Sequence, residues 1–246
     1  MEDIQLLIKK YDGDWTEISS EEKLSEEFIE KYCNKVNWVF ISLYQKLSES
    51  FIEKYSDYVH WSNISSCQKL SESFIEKYED EVDWFEICIH QKLSEEFIEK
   101  HTVYWSNISA NQKLSESFIA DHKDMVMWEE ICIFQDLSEG FIEEHSEHIY
   151  WNFISANQKL SEEFIEKYED IVWWERISSD QKLSEEFIEK YENTVWWERI
   201  SKYQKLSEEF IKKHISDITW HIIINKFYNN LPDSKLKKLL DFKFWR

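Results

Sequence analysis

Glycine and proline are nearly missing from this chain, with two glycines and one proline in 246 residues. β-Solenoids, propellers and collagen-like arrays need frequent turn residues, so these architectures are excluded. Cysteine is also scarce. Cys33, Cys67, Cys88 and Cys132 show no paired spacing, which argues against a disulfide framework and for a reducing, cytoplasmic setting. No apolar run approaches bilayer-spanning length, and Met1-Glu2-Asp3 lacks the basic start of a signal peptide. Cations are outnumbered, 29 Lys and Arg against 50 Asp and Glu, for a net charge of −21. That disfavours direct nucleic-acid binding, which needs clustered cations, and suits a basic protein partner. Core material is plentiful: 42% of residues are hydrophobic and 17% aromatic, too many for a disordered chain.

What is present is a beat. Tryptophan falls at 15, 38, 61, 84, 105, 128, 151, 174, 197 and 220, in steps of 23 with one of 21. Leucine keeps time at 24, 47, 70, 93, 114, 137, 160, 183 and 206. A unit this short cannot bury its own apolar face and must stack on copies of itself. The spacing predicts an all-α fold: an α-solenoid of about nine short helix-turn-helix repeats over residues 1–230. Units start near each of those leucines, with a partial unit before Leu24, and residues 231–246 form a C-terminal capping helix.

The unit from Leu160 to Lys182 shows the design. Ser161 is placed to cap a first helix, with Leu160 and Ile165 at hydrophobic-staple spacing. Glu162 and Glu163 fall where the helix dipole favours negative charge. Phe164, Ile165, Tyr168 and Val172 recur at helical spacing. Trp174, Ile177, Ser178 and Gln181 make a second apolar stripe, the expected seam, with the glutamine serving polar groups near the helix end. Cys88 and Cys132 occupy the serine slot and read as small buried side chains. The links before Trp15 and Trp105 are two residues short, between the helices. A β-strand at Val-x-Trp, as in leucine-rich horseshoes, is the alternative, but their leucine pattern and turn residues are absent. At the far end Lys235 to Arg246 is basic and amphipathic, suited to capping an open solenoid or, as the sharper alternative, to docking on a membrane surface or partner.

Fixed positions build the core, so variable positions carry identity. One before the tryptophan, two after and six after lie on one side of the second helix. Toward the C-terminus these slots hold Tyr150, Phe153, Trp173, Arg176, Trp196, Arg199 and Tyr203, residue types that dominate interface hot spots. They are the candidate partner-binding set, with inter-repeat packing as the competing account. First helices present a contrasting acidic stripe, including Glu26, Glu30, Glu162, Glu163 and Glu166.

Catalysis needs convergent, dissimilar side chains, and an array supplies parallel, similar ones. No phosphate loop, His-Glu-x-x-His, Cys-x-x-Cys or Gly-x-Ser-x-Gly occurs. His101, His122, His145 and His214 take the slot held elsewhere by Tyr168 and its counterparts, so they read as ring substitutes and not metal ligands. No enzyme, metal or cofactor is expected.

The phrase Gln-Lys-Leu-Ser-Glu-Glu-Phe-Ile-Glu-Lys-Tyr, at Gln158–Tyr168 and Gln181–Tyr191, with the following Asp-x-Val-x-Trp-x-x-Ile-Ser, resembles tandem-repeat proteins encoded by large DNA viruses of protists. The likeness covers roughly residues 3 to 224. It implies a viral protein in the host cytoplasm or nucleus and carries no functional residue with it. The expected function is a non-enzymatic scaffold for a protein partner, present as a monomer or weak oligomer. An acidic mimic of nucleic acid that sequesters a basic protein, or a self-assembling structural protein, are the alternatives.

Overall fold

A computed structural model describes residues 4–214 and 216–219. Regular structure among the described residues is wholly α-helical, nineteen helices and no strand, so the strand alternative at Val-x-Trp is excluded. Contacts divide the chain into two compact units, Met1–Met127 and Trp128–Arg246. Each is an α-solenoid of short helix pairs. Six-residue helices such as Glu162–Lys167 alternate with seven-residue helices that open on the repeat tryptophan, such as Trp174–Asp180. In the first unit the tryptophan helices Trp15–Glu21, Trp38–Tyr44, Trp61–Cys67, Trp84–His90 and Trp105–Asn111 pack each on the next. In the second, Trp128–Phe134, Trp151–Asn157, Trp174–Asp180 and Trp197–Tyr203 do the same. The expected C-terminal cap, 231–246, lies outside the described residues.

Helices of six or seven residues are unstable alone, so each needs caps and neighbours. Ser161 supplies one cap: its backbone is extended and its Oγ accepts from the amide of Phe164 at 3.1 Å. The same bond recurs at Ser25, Ser48, Ser71, Ser94, Ser115, Ser138, Ser184 and Ser207. Phe and Ile of each short helix are buried, as is the isoleucine three after each tryptophan, from Ile18 to Ile200. The seam lies where the stripe placed it.

Two polar ladders hold the repeats in phase. Gln68 reaches back one unit, where its Nε2 donates to the carbonyls of Ser42 at 3.0 Å and Gln45 at 2.8 Å. Its Oε1 accepts the Leu47 amide at 3.0 Å. One side chain thus satisfies three backbone groups at the end of the preceding tryptophan helix, groups that a helix leaves unpaired. Gln158, Gln181 and Gln204 repeat this in the second unit. In the other ladder, Ser178 Oγ donates to the Trp174 carbonyl at 2.6 Å and accepts the Trp196 amide at 2.9 Å. Cysteine in this slot is buried, and burial pushes the Cys132 thiol up to about 11, with Cys88 shifted the same way.

The tryptophans differ from the isoleucines. Trp128 is buried, and the other described repeat tryptophans, Trp15 to Trp105 and Trp151, Trp174 and Trp197, are half-buried. Trp38 stacks on Phe51 of the next repeat at 6.3 Å and on Tyr55 at 5.0 Å, while its Nε1 donates to the Cys33 carbonyl at 3.0 Å. A large ring with one polar edge is placed where the edge meets a backbone carbonyl and the faces meet other rings. Histidines fill the tyrosine slot as ring substitutes: His101 lies 4.1 Å from Phe97 and 5.2 Å from Trp84.

The shortened links fall between helices. Before Trp15 the turn uses positive φ, 51° at Asp12 and 77° at Gly13, a region open to glycine and tolerated by aspartate. Before Trp105, His101 is extended (φ −118°, ψ 153°) where Tyr78 in the full-length link bends (φ −114°, ψ 31°). Trp105 still stacks on Phe118 at 6.2 Å, so trimming the link leaves the seam intact.

A candidate protein-binding face

The acidic stripe is mostly engaged in holding the array together. Glu162 Oε1 accepts the backbone amide of Ser184 at 2.5 Å, and Glu139 does the same for Ser161 at 2.5 Å. The glutamate four residues on pairs with a lysine of the next repeat: Glu143 with Lys167 at 2.7 Å, Glu166 with Lys190, and Glu189 with Lys213 at 2.7 Å. These pairs are exposed, and each contributes little to stability. Glu163 and Glu186 are left exposed, with neither hydrogen bond nor ion pair.

The variable face is organised by one backbone fact. The residue before the repeat tryptophan is the N-cap of the tryptophan helix at Asn37, His60, Asp83, Trp173 and Trp196, and there its own amide donates to the serine hydroxyl one repeat back. At Tyr104 and Tyr150 the amide meets the Cys88 and Cys132 thiols instead. That bond needs no particular side chain. Asn37 and Asp83 use theirs to cap, accepting from Val39 and Phe85, each at 3.1 Å. Tyr150, Trp173 and Trp196 sit at the same place and make no side-chain cap bond. Instead they stand in water, 47%, 54% and 50% exposed. Asparagine and aspartate are worth about 0.5–2 kcal/mol over apolar residues at an N-cap. A stability-driven sequence would not place tryptophan there.

A groove opens beside Trp173. It encloses about 390 Å³ and is lined by Ile133, Asn152, Phe153, Ala156, Asn157, Trp173, Arg176 and Asp180. The groove joins three of the sequence-predicted residues, Phe153, Trp173 and Arg176. Tyr150 packs against Phe153 at 6.2 Å but does not line it. Trp196, Arg199 and Tyr203 lie one repeat on. Arg199 Nη2 is held by Glu175 Oε1 at 2.6 Å, a hydrogen bond that pushes the guanidinium pKa further up. Tyr203 lies under Lys202 Nζ at 4.9 Å, and the hydrogen bond from that ammonium lowers its pKa. Sequence reasoning missed Asn152 and Glu175, both one residue after the tryptophan. The signal for them is the offset of 24 residues between Glu175 and Arg199, one more than the repeat period, by which the lysine pairs are also spaced.

Among the described residues no group of three His, Cys, Asp or Glu side chains is placed to hold a metal, and no helix is long and apolar enough to cross a membrane. Compared with protein-family models, curated proteins and solved structures, the chain matches none. The resemblance to viral repeat proteins therefore rests on the repeat phrase alone.

Proposed function

We propose that this chain is a non-enzymatic repeat scaffold that binds a protein partner through the variable face of its second unit, and that it acts as a viral protein on a host-cell factor. The observation that carries the binding reading is the use of Tyr150, Trp173 and Trp196 at N-cap positions. There they forgo a helix cap and present half their surface to solvent beside an open groove. Large aromatic side chains with an arginine nearby are the residues from which binding energy is usually drawn. The acidic stripe supports the nucleic-acid-mimic alternative less well, because most of its carboxylates are bound to serine amides and lysines.

The test is partner capture from host lysate by the wild-type chain, Trp173→Ala, Trp196→Ala and the charge reversal Glu163→Lys with Glu186→Lys. Each tryptophan substitution is expected to weaken capture by about 2 kcal/mol or more while leaving the melting temperature unchanged or higher. Capture lost on charge reversal and kept by the tryptophan variants would move the interface to the acidic stripe. A fall in melting temperature of the tryptophan variants would make the rings packing elements and remove the site.

A further inference from the structure

The repeat contains its own key to the groove. Arg176 and Arg199 occupy one slot in successive repeats, two residues after the tryptophan. Arg199 is paired with Glu175, which stands 24 residues before it, at 2.6 Å. The residue 24 before Arg176 is Asn152. An amide thus stands where the next repeat has a carboxylate, and Arg176 is left with Asp180 at 3.8 Å, beyond hydrogen-bonding reach. Its side chain is 53% exposed, against 36% for Arg199. The groove lies at this gap, with Asn152, Arg176 and the Asp180 carboxylate, which flanks the guanidinium without bonding it, in its wall and Ile133, Phe153, Ala156 and Trp173 supplying apolar surface.

We propose that the groove is a peptide-docking site whose ligand carries a carboxylate beside an apolar anchor. The carboxylate takes, on Arg176, the position that Glu175 takes on Arg199, and the anchor lies against Trp173 and Phe153. This rests on the protein-binding reading and adds the chemistry of the partner. Charge complementarity picks the ligand group: a planar guanidinium offers paired donors that match a carboxylate. On a chain of net charge −21, an acidic ligand needs this local cation, so the partner's acidic group is recognised here and not by the overall field.

The probe is a random dodecapeptide library displayed on phage and selected on the full chain, with the strongest peptide then measured by fluorescence anisotropy. Selected sequences should pair Asp or Glu with an aromatic or long aliphatic residue. Binding should fall about ten-fold or more on Arg176→Gln, as for loss of a charge-assisted bond. Asn152→Glu should weaken binding by a similar factor, because it builds the internal pair of the next repeat and fills the subsite. That slot holds Glu129, Glu175 and Glu198 in other repeats, so the variant should fold, and an unchanged melting temperature checks it. Glu163→Lys with Glu186→Lys should leave the affinity within two-fold. Selected peptides without an acidic residue, or acidic peptides indifferent to Arg176→Gln and Asn152→Glu, would overturn the carboxylate subsite. No selection above background would overturn a linear ligand. In all three cases loss of lysate capture on Trp173→Ala would still uphold protein binding at this face.

Discussion

The slot before the repeat tryptophan is filled differently in the two units. In the first, Asp14, Asn37 and Asp83 turn their oxygens back onto helix amides, while His60 makes no cap bond and Tyr104 is capless and exposed like the aromatics of the second. Two residues after the tryptophan, Asn63 donates across the repeat to the Val39 carbonyl at 3.0 Å. In the second, Tyr150, Trp173 and Trp196 turn outward. The supporting structure is the same: buried isoleucine, the hydroxyl or thiol ladder and the glutamine ladder recur on both sides. The comparison shows why the array can vary there without losing its fold. Because the previous repeat already takes the N-cap amide, an aromatic substitution forfeits only the side-chain cap. In the first unit Asp14, Asn37, Asn63 and Asp83 serve the backbone, whereas in the second Phe153, Trp173 and Arg176 line a groove.

The largest effect belongs to what the units share. Ile64→Ala in the first and Ile177→Ala in the second should each cost about 2–5 kcal/mol, the range for large core truncations. Chemical denaturation of both should show losses of similar size, and a small loss in one unit alone would deny the common seam. Next comes the glutamine ladder. Gln68→Leu and Gln181→Leu each strand a buried leucine amide and two carbonyls, at about 3 kcal/mol, and neither should be tolerated better than the other.

The N-cap slot should then separate capping residues from aromatic ones by sign. Asn37→Ala and Asp83→Ala are expected to lower stability by about 0.5–2 kcal/mol, whereas Trp173→Asp and Trp196→Asp should raise it by a similar amount. A stabilised Trp173→Asp that no longer captures partner would show stability yielded to binding. Destabilisation by Trp173→Asp would mean the ring packs. Smallest are the cysteines. Cys67 is exposed and should react fastest with a thiol reagent, with Cys33 slower. Cys88 and Cys132, buried and with raised pKa, should stay silent until unfolding. For Cys132 the folded pKa lies above the unfolded one, so the linked stability is complete below the ordinary thiol pKa and declines as pH rises toward about 11. Reaction of all four at one rate would place the serine slot at the surface.

Much of this was legible in the residues, because a strict period makes every repeat an independent reading of the same pattern. The Trp-Ile-Ser-Gln offsets specified one helical stripe, the serine before Glu-Glu-Phe-Ile specified a cap, and nearly glycine-free links specified tight helical joints. The variable slots, with Tyr150, Trp173 and Trp196 among them, followed from subtracting that pattern. The sequence did not say how deep each ring sits. Trp and Ile share a stripe, yet the isoleucines are sealed and most tryptophans only half-covered, because a ring nearly twice as wide reaches past the seam to the next repeat. Nor did it assign the glutamates, since a carboxylate that caps a neighbour and one that faces water look alike until the repeats are stacked. The groove was hidden for the same reason. Asn152 and Arg176 are 24 residues apart, and their meeting depends on the inter-repeat step, a quantity set by packing and not by local pattern. Sequence alone determined the unit, its helices and its outward positions. Tertiary structure alone decided which charges are satisfied, because satisfaction depends on distances between repeats that no single repeat contains.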